Sequence, residues 1–153
     1  MKKEKRVIGW REIVSLPELG IDEVKAKVDT GARTSALHAS KLVFSKRAGK
    51  DYVEFIIHPK QRSTKPEIKV KTKVLAFRKI KSSTGHSALR PVIETDVIIG
   101  GIKTKLELTL VNRDEMGFRM LLGREAMRGQ FIVDPGASYV ETEKKKTRYS
   151  KQR

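Results

Sequence analysis

The residues best suited to chemistry lie in Val24-Lys25-Ala26-Lys27-Val28-Asp29-Thr30-Gly31-Ala32-Arg33-Thr34-Ser35-Ala36-Leu37-His38, where an amphipathic stretch ends in an acid, a hydroxyl residue and a glycine. Glycine turns the chain sharply and leaves its backbone N–H free to donate to the preceding carboxylate; a threonine hydroxyl can bond across to a partner loop. Together they aim a carboxylate out of the end of a strand and hold it still, as general acid–base work requires. Asp and Gly are also common turn residues, and taken alone the three favour a plain turn. A second segment shifts the balance. Phe118-Arg119-Met120-Leu121-Leu122-Gly123-Arg124-Glu125-Ala126-Met127 reads as an apolar strand closing on Gly-Arg and a short helix, with Gly123 94 positions after Asp29.

On these two segments the sequence resembles the retropepsin-like aspartic peptidases, whose hallmark is Asp-Thr-Gly-Ala followed later by two apolar residues and Gly-Arg. Here those are Asp29-Thr30-Gly31-Ala32 and Leu121-Leu122-Gly123-Arg124. More closely, the chain is similar to the bacterial group labelled "ATP-dependent zinc protease". Its members carry stretches like Gly9-Trp10-Arg11-Glu12, Thr34-Ser35-Ala36-Leu37-His38-Ala39, Arg90-Pro91-Val92-Ile93 and Asn112-Arg113, so the resemblance runs over roughly residues 9 to 135. It implies a small β-barrel that pairs with a second copy, Asp29, Thr30 and Gly31 forming the catalytic loop and Ala32, Arg33 and Thr34 lying beside substrate. One such loop per chain agrees with pairing. The chemistry needs two carboxylates, which share a proton because two acids so close cannot easily both ionise. The expectation is a homodimer.

Asp134-Pro135-Gly136-Ala137 has a similar outline, but proline offers no hydroxyl to lock the loop, and the segment reads as a β-turn after Phe131-Ile132-Val133. Residues 78–90 are polar and rich in small residues. They suit a mobile flap bringing Ser83 and Gly85 over substrate, or equally an ordinary surface loop. Where viral members carry an acid two residues beyond the motif glycine, this chain has Arg33. Two readings stay open: Arg33 and Arg124 both face substrate carboxylates, or Arg124 braces its own subunit or the dimer interface and Arg33 lies in solvent. The group label mentions zinc and ATP, but His38, His58 and His86 are scattered, no His-Glu-x-x-His pair exists, and no phosphate-binding Gly-Lys-Ser/Thr loop is present. No cofactor and no metal are expected.

These residues must be positioned by strands. Two-residue alternation recurs along the chain: Val24, Ala26 and Val28 against Lys25 and Lys27; Ile68, Val70, Thr72, Val74 and Ala76 against Lys69, Lys71 and Lys73; Ile102 to Leu110 in even positions. Arg47-Ala48-Gly49-Lys50 separates strand candidates at 38–45 and 52–58, and Gly100-Gly101 joins those at 91–99 and 102–111 as a hairpin. Helical signal is confined to Arg124–Arg128, ended by Gly129. No internal repeat is evident. The fold class is all-β, a retropepsin-like (acid protease) barrel with one short helix after Leu121-Leu122-Gly123-Arg124; the domain spans 1–141 and a basic flexible tail 142–153.

At 153 residues the chain suffices for one domain, and without cysteine it must rest on burial alone. Neither a secretory signal nor a membrane span is legible, so the expected location is cytoplasmic, with no membrane partner. Thirty-four Lys and Arg against eighteen Asp and Glu give a net charge of +16, a field that attracts polyanions. Bacterial relatives are associated with ATP-grasp ligases that add glutamate to protein C-termini. The resemblance therefore implies a peptidase trimming oligoglutamate, with such a ligase or the ribosome as partner. The alternatives are a non-catalytic basic β-barrel binding RNA or the ribosome, and a silent dimer positioning a glutamate ligase.

Overall fold

The structure, a computed structural model, describes residues 4–60, 66–81, 85–112 and 117–141. Its strands are β1 (Arg6–Gly9), β2 (Arg11–Leu16), β3 (Ile21–Val28), β4 (Ser35–His38), β5 (Ser40–Arg47), β6 (Lys50–Ile57), β7 (Ile68–Lys73), β8 (Ala76–Lys81), β9 (Ser87–Ile99), β10 (Ile102–Val111), β11 (Met120–Leu122) and β12 (Phe131–Asp134). A 3-10 turn at Pro17–Leu19 and the helix α1 (Arg124–Met127) complete them. None of the described helices is long and apolar enough to cross a membrane.

Seven strands run in the order β10-β4-β11-β3-β2-β9-β8, and β10 also pairs with β9. That extra pairing closes six of them into a barrel and leaves β8 as a flange on the long strand β9. The alternation read from the sequence fills the interior: Val14, Val24, Leu37, Ile93, Leu108 and Met120 are all buried in one core. A separate sheet, β5-β6-β7, packs Val53, Phe55, Ile57 and Val70 into the same core, and β1 with β12 forms a small parallel pair.

Both expected hairpin turns are present. Ala48 and Gly49 have φ of 54° and 78°, Gly100 and Gly101 57° and 83°, the double left-handed geometry that matches the twist of antiparallel strands. The flanking strands run 40–47 and 50–57 rather than 38–45 and 52–58. The alternation from Ile68 to Ala76 is not one strand. Val74 N–H donates to Asp51 O in the three-stranded sheet, whereas Leu75 N–H donates to Val92 O of β9, so the chain changes sheets between them. Alternation survives the crossing because both sheets bury the same parity. Most of the expected flap is regular structure: Arg78–Lys81 pair with Ser87–Arg90 as the arms of the β8–β9 hairpin. Ser83 and the tail 142–153 lie outside the described residues.

Candidate active site

Asp29 stands where β3 leaves the barrel, and neighbours on both sides hold the strand end. Val28 N–H donates to Trp10 O at 2.8 Å, and Asp29 N–H donates to Leu122 O at 2.8 Å, continuing the parallel pairing of β3 with β11. The loop then closes on itself. Gly31 N–H donates to Asp29 Oδ1 at 2.9 Å, and Ala32 N–H donates to Asp29 O at 3.2 Å. The half-buried carboxylate is thus tied to its own turn, as a group that must present a fixed lone pair requires.

The Gly-Arg segment wraps this loop from the other side. A Cβ on Gly123 would sit 2.4 Å from Thr34 O, so only glycine lets the backbone approach so closely. Gly123 N–H donates to the buried Ser35 hydroxyl at 3.0 Å. Arg124 N–H bonds to Ala32 O (2.8 Å), Glu125 N–H bonds to Arg33 O (3.1 Å), and Arg124 Nη1 donates at 3.0 Å to both Thr30 O and Gly31 O. The Arg124 guanidinium thus donates to backbone carbonyls of its own loop, which stand where viral sequences offer the arginine an acid. Arg33 is 78% exposed and lies 3.7 Å from Glu125, itself shared with Arg128.

Beyond the loop runs a cleft of about 810 Å³, lined by Arg33, Thr34 and Ser35, by Arg78 to Lys81 of the hairpin arm, and by Glu94, Lys105 and Glu107. Asp29, Thr30 and Gly31 are not among its lining residues, so the cleft leads away from the carboxylate instead of enclosing it. Arg78 grips Glu107 with two nitrogens, holding the Glu107 carboxyl below the usual carboxylate range and raising its own pKa. Lys105 lies 3.7 Å from Glu94, while Lys79 and Lys81 have no ion pair among the described residues. Gly85 is exposed on the hairpin turn with φ +87°. No three described His, Cys, Asp or Glu side chains converge to hold a metal.

Sequence reading missed three features here. The first is Ser35, whose hydroxyl positions Gly123. The second is Glu12, fully buried, whose Oε2 accepts N–H from Gly9 (2.7 Å) and Val140 (2.8 Å). The third is a repeat. At Asp134-Pro135-Gly136-Ala137, Gly136 N–H donates to Asp134 Oδ1 at 2.9 Å and Ala137 N–H donates to Asp134 O at 3.2 Å, the same pair of bonds as in the Asp29 loop. The segment is the expected β-turn, but it is also a copy. Gly9 faces Asp134 across the parallel β1–β12 pair, a Cβ on Gly9 would lie 2.4 Å from Ala137 O, and Trp10 N–H donates to Ala137 O at 2.8 Å. Gly9-Trp10 thus stands to the Asp134 loop as Gly123-Arg124 stands to the Asp29 loop, with Trp10 and Arg124 each donating N–H to the loop alanine carbonyl. The copies differ in chemistry. Pro135 replaces Thr30, and Arg11 stacks on Trp10 and Tyr139 at 4.6 and 4.9 Å instead of gripping the loop carbonyls.

The profile of the RimB-like family, described as retropepsin-like aspartic endopeptidase RimB, matches residues 7–144. Among curated proteins, one from Shewanella pealeana named probable alpha-L-glutamate ligase is 46% identical over 94% of this chain, but over only 31% of its own length. One of the same name from Desulfotalea psychrophila is 45% identical over 86% of this chain and 28% of its own. The chain therefore spans about a third of the curated relatives it matches. A crystal structure of a Legionella pneumophila protein of unknown function superposes with a TM-score of 0.71 at 22% identity, covering 90% of this chain and 99% of that one, and so shares the fold. With an Asp-Thr-Gly-Ala loop braced by Leu-Leu-Gly-Arg inside a closed barrel and a profile match over nearly its whole length, the chain belongs to the RimB-like family of retropepsin-like aspartic endopeptidases.

Proposed function

We propose that the chain is a cytoplasmic aspartic peptidase that hydrolyses peptide bonds through a dyad of Asp29 carboxylates, one from each of two copies, and trims acidic, oligoglutamate protein tails. The observation that carries this reading is the Asp29 carboxylate, held by Gly31 N–H at 2.9 Å at the mouth of a strand and underpinned by Gly123 and Arg124. With the dyad sharing one proton, the ionised carboxylate takes a proton from water as the water oxygen bonds to the scissile carbonyl carbon, and the protonated one gives its proton to the carbonyl oxygen. Collapse of the tetrahedral intermediate breaks the C–N bond as the nitrogen takes up a proton, so no covalent enzyme intermediate forms. Titration then belongs to the pair, not to either Asp29. The substrate class is supported by the curated relatives, where a segment like this one lies within proteins named as glutamate ligases. A hydrolase beside a ligase of glutamate would reverse its product, and a glutamate ligase is the corresponding partner here.

The test is mass spectrometry of an oligoglutamate-tailed protein and of a mixed peptide library after incubation with the purified chain, with Asp29→Asn alongside. Stepwise glutamate loss with the native chain only is the expected result. Cleavage that survives Asp29→Asn, or none in either pool with the dimer present, overturns the proposal.

A further inference from the structure

The sheet β5-β6-β7 has two unlike sides. Cross-strand partners face the same way, so the side carrying Val53, Phe55, Ile57 and Val70 enters the core while the opposite side faces solvent. On that outer side the registers Ser45↔Tyr52↔Lys73 and Val43↔Glu54↔Lys71, with Ile56↔Lys69 and Arg47↔Lys50, gather five cations around one carboxylate. Glu54 is taken by Lys69 at 2.8 Å, leaving Arg47, Lys50, Lys71 and Lys73 exposed and without an ion pair among the described residues. On the barrel, Lys79 and Lys81 are also without an ion pair among the described residues, but other cations are neutralised. Its outward Arg78, Lys103 and Lys105 each meet a carboxylate, Glu107, Asp96 and Glu94. Four unpaired cations thus share this one sheet face, with the half-buried ring of Tyr52 on the middle strand among them.

We infer that this face binds a single-stranded nucleic acid, its phosphates on Arg47, Lys50, Lys71 and Lys73 and a base stacked on Tyr52. Along β7 a cation recurs every second residue, about 6.7 Å apart, comparable to the separation of successive phosphates in an extended strand. An aromatic ring amid cations on an open sheet is what base stacking uses and an oligoacid does not. The inference is independent of Asp29 and of the peptidase reading.

The experiment is fluorescence anisotropy of a short labelled oligoribonucleotide and its deoxy counterpart, titrated with the full chain over a range of salt. The triple variant Arg47→Gln/Lys71→Gln/Lys73→Gln is compared with a charge-matched control, Lys5→Gln/Lys25→Gln/Lys60→Gln, whose positions are exposed and off the face. Losing three phosphate contacts lowers the slope of log affinity against log salt by about 2, with the control unchanged. Tyr52→Leu weakens binding by about tenfold at an unaltered slope. Binding of either oligonucleotide with this pattern supports the inference, and the tighter one identifies the sugar. Equal losses in the two triple variants reduce the effect to net charge and overturn it. Competition by polyglutamate as strong as by unlabelled oligonucleotide also overturns it, assigning the face to acidic polypeptides. Unchanged thermal midpoints verify that the variants are folded.

Discussion

At the scale of single residues, small polar groups under the Asp29 loop carry as much of the geometry as the acid itself. Ser35 Oγ gives Gly123 N–H its buried partner, and removing it strands a donor at a cost of about 1–3 kcal/mol. Ser35→Ala should therefore lower the urea midpoint and reduce kcat more than it raises KM, because Gly123 shapes the loop that holds Asp29. Steady-state kinetics separate the two effects. Glu12 does the same work for the second loop, and Glu12→Ala leaves the Gly9 and Val140 N–H groups without its carboxylate. A loss of about 2–5 kcal/mol in denaturant unfolding is expected. Asp29 and Leu121-Leu122-Gly123-Arg124 were legible because their residue types have few other uses together. Ser35 and Glu12 were not, since a serine or glutamate becomes a positioning group only through what the fold places 88 residues away, or three.

At the scale of elements, the two loops form a natural control experiment. Gly123→Ala and Gly9→Ala introduce the same 2.4 Å conflict with a backbone oxygen, one beneath the Asp29 loop and one beneath the Asp134 loop. Both should destabilise by several kcal/mol, on the order of an overpacked core. Any folded fraction should retain activity only for Gly9→Ala, as read by activity per mole of folded protein. The β8–β9 hairpin is tied to the barrel by Arg78 and Glu107. Because the side-chain bond from Arg78 lowers the Glu107 carboxyl pKa, the stabilisation is present above the unfolded glutamate pKa and is lost as pH falls through the lower folded value. The difference in thermal midpoint between the native chain and Glu107→Gln should therefore be present at neutral pH and vanish in acid. Its size stays small, since both side chains are substantially exposed. The sheet change at Val74-Leu75 and the hairpin within 78–90 could not be read along the chain. Period-two alternation reports which face is buried but not which strand lies alongside.

At the scale of the whole molecule, the proposed site, split between two copies, ties activity to association. Specific activity should fall on dilution below the dimer dissociation constant, and adding Asp29→Asn chains should poison native ones by forming mixed dimers. Activity that is linear in concentration and indifferent to the variant would show that one chain suffices. The sequence by itself determined the class of fold, through alternation that can bury only one face of each strand. It also displayed the Asp29-Thr30-Gly31-Ala32 loop motif, whose parts are local. Only the tertiary structure decided that β10, the hairpin partner of β9, also lies along β4 and so closes the barrel, that Arg124 turns toward the loop carbonyls, and that Asp134 sits in a copy of the Asp29 loop. It alone gathered Arg47, Tyr52 and Lys73 from three strands onto one face. Each depends on strand register between residues distant in sequence, and register is settled by the packing of the entire core, not by any local stretch.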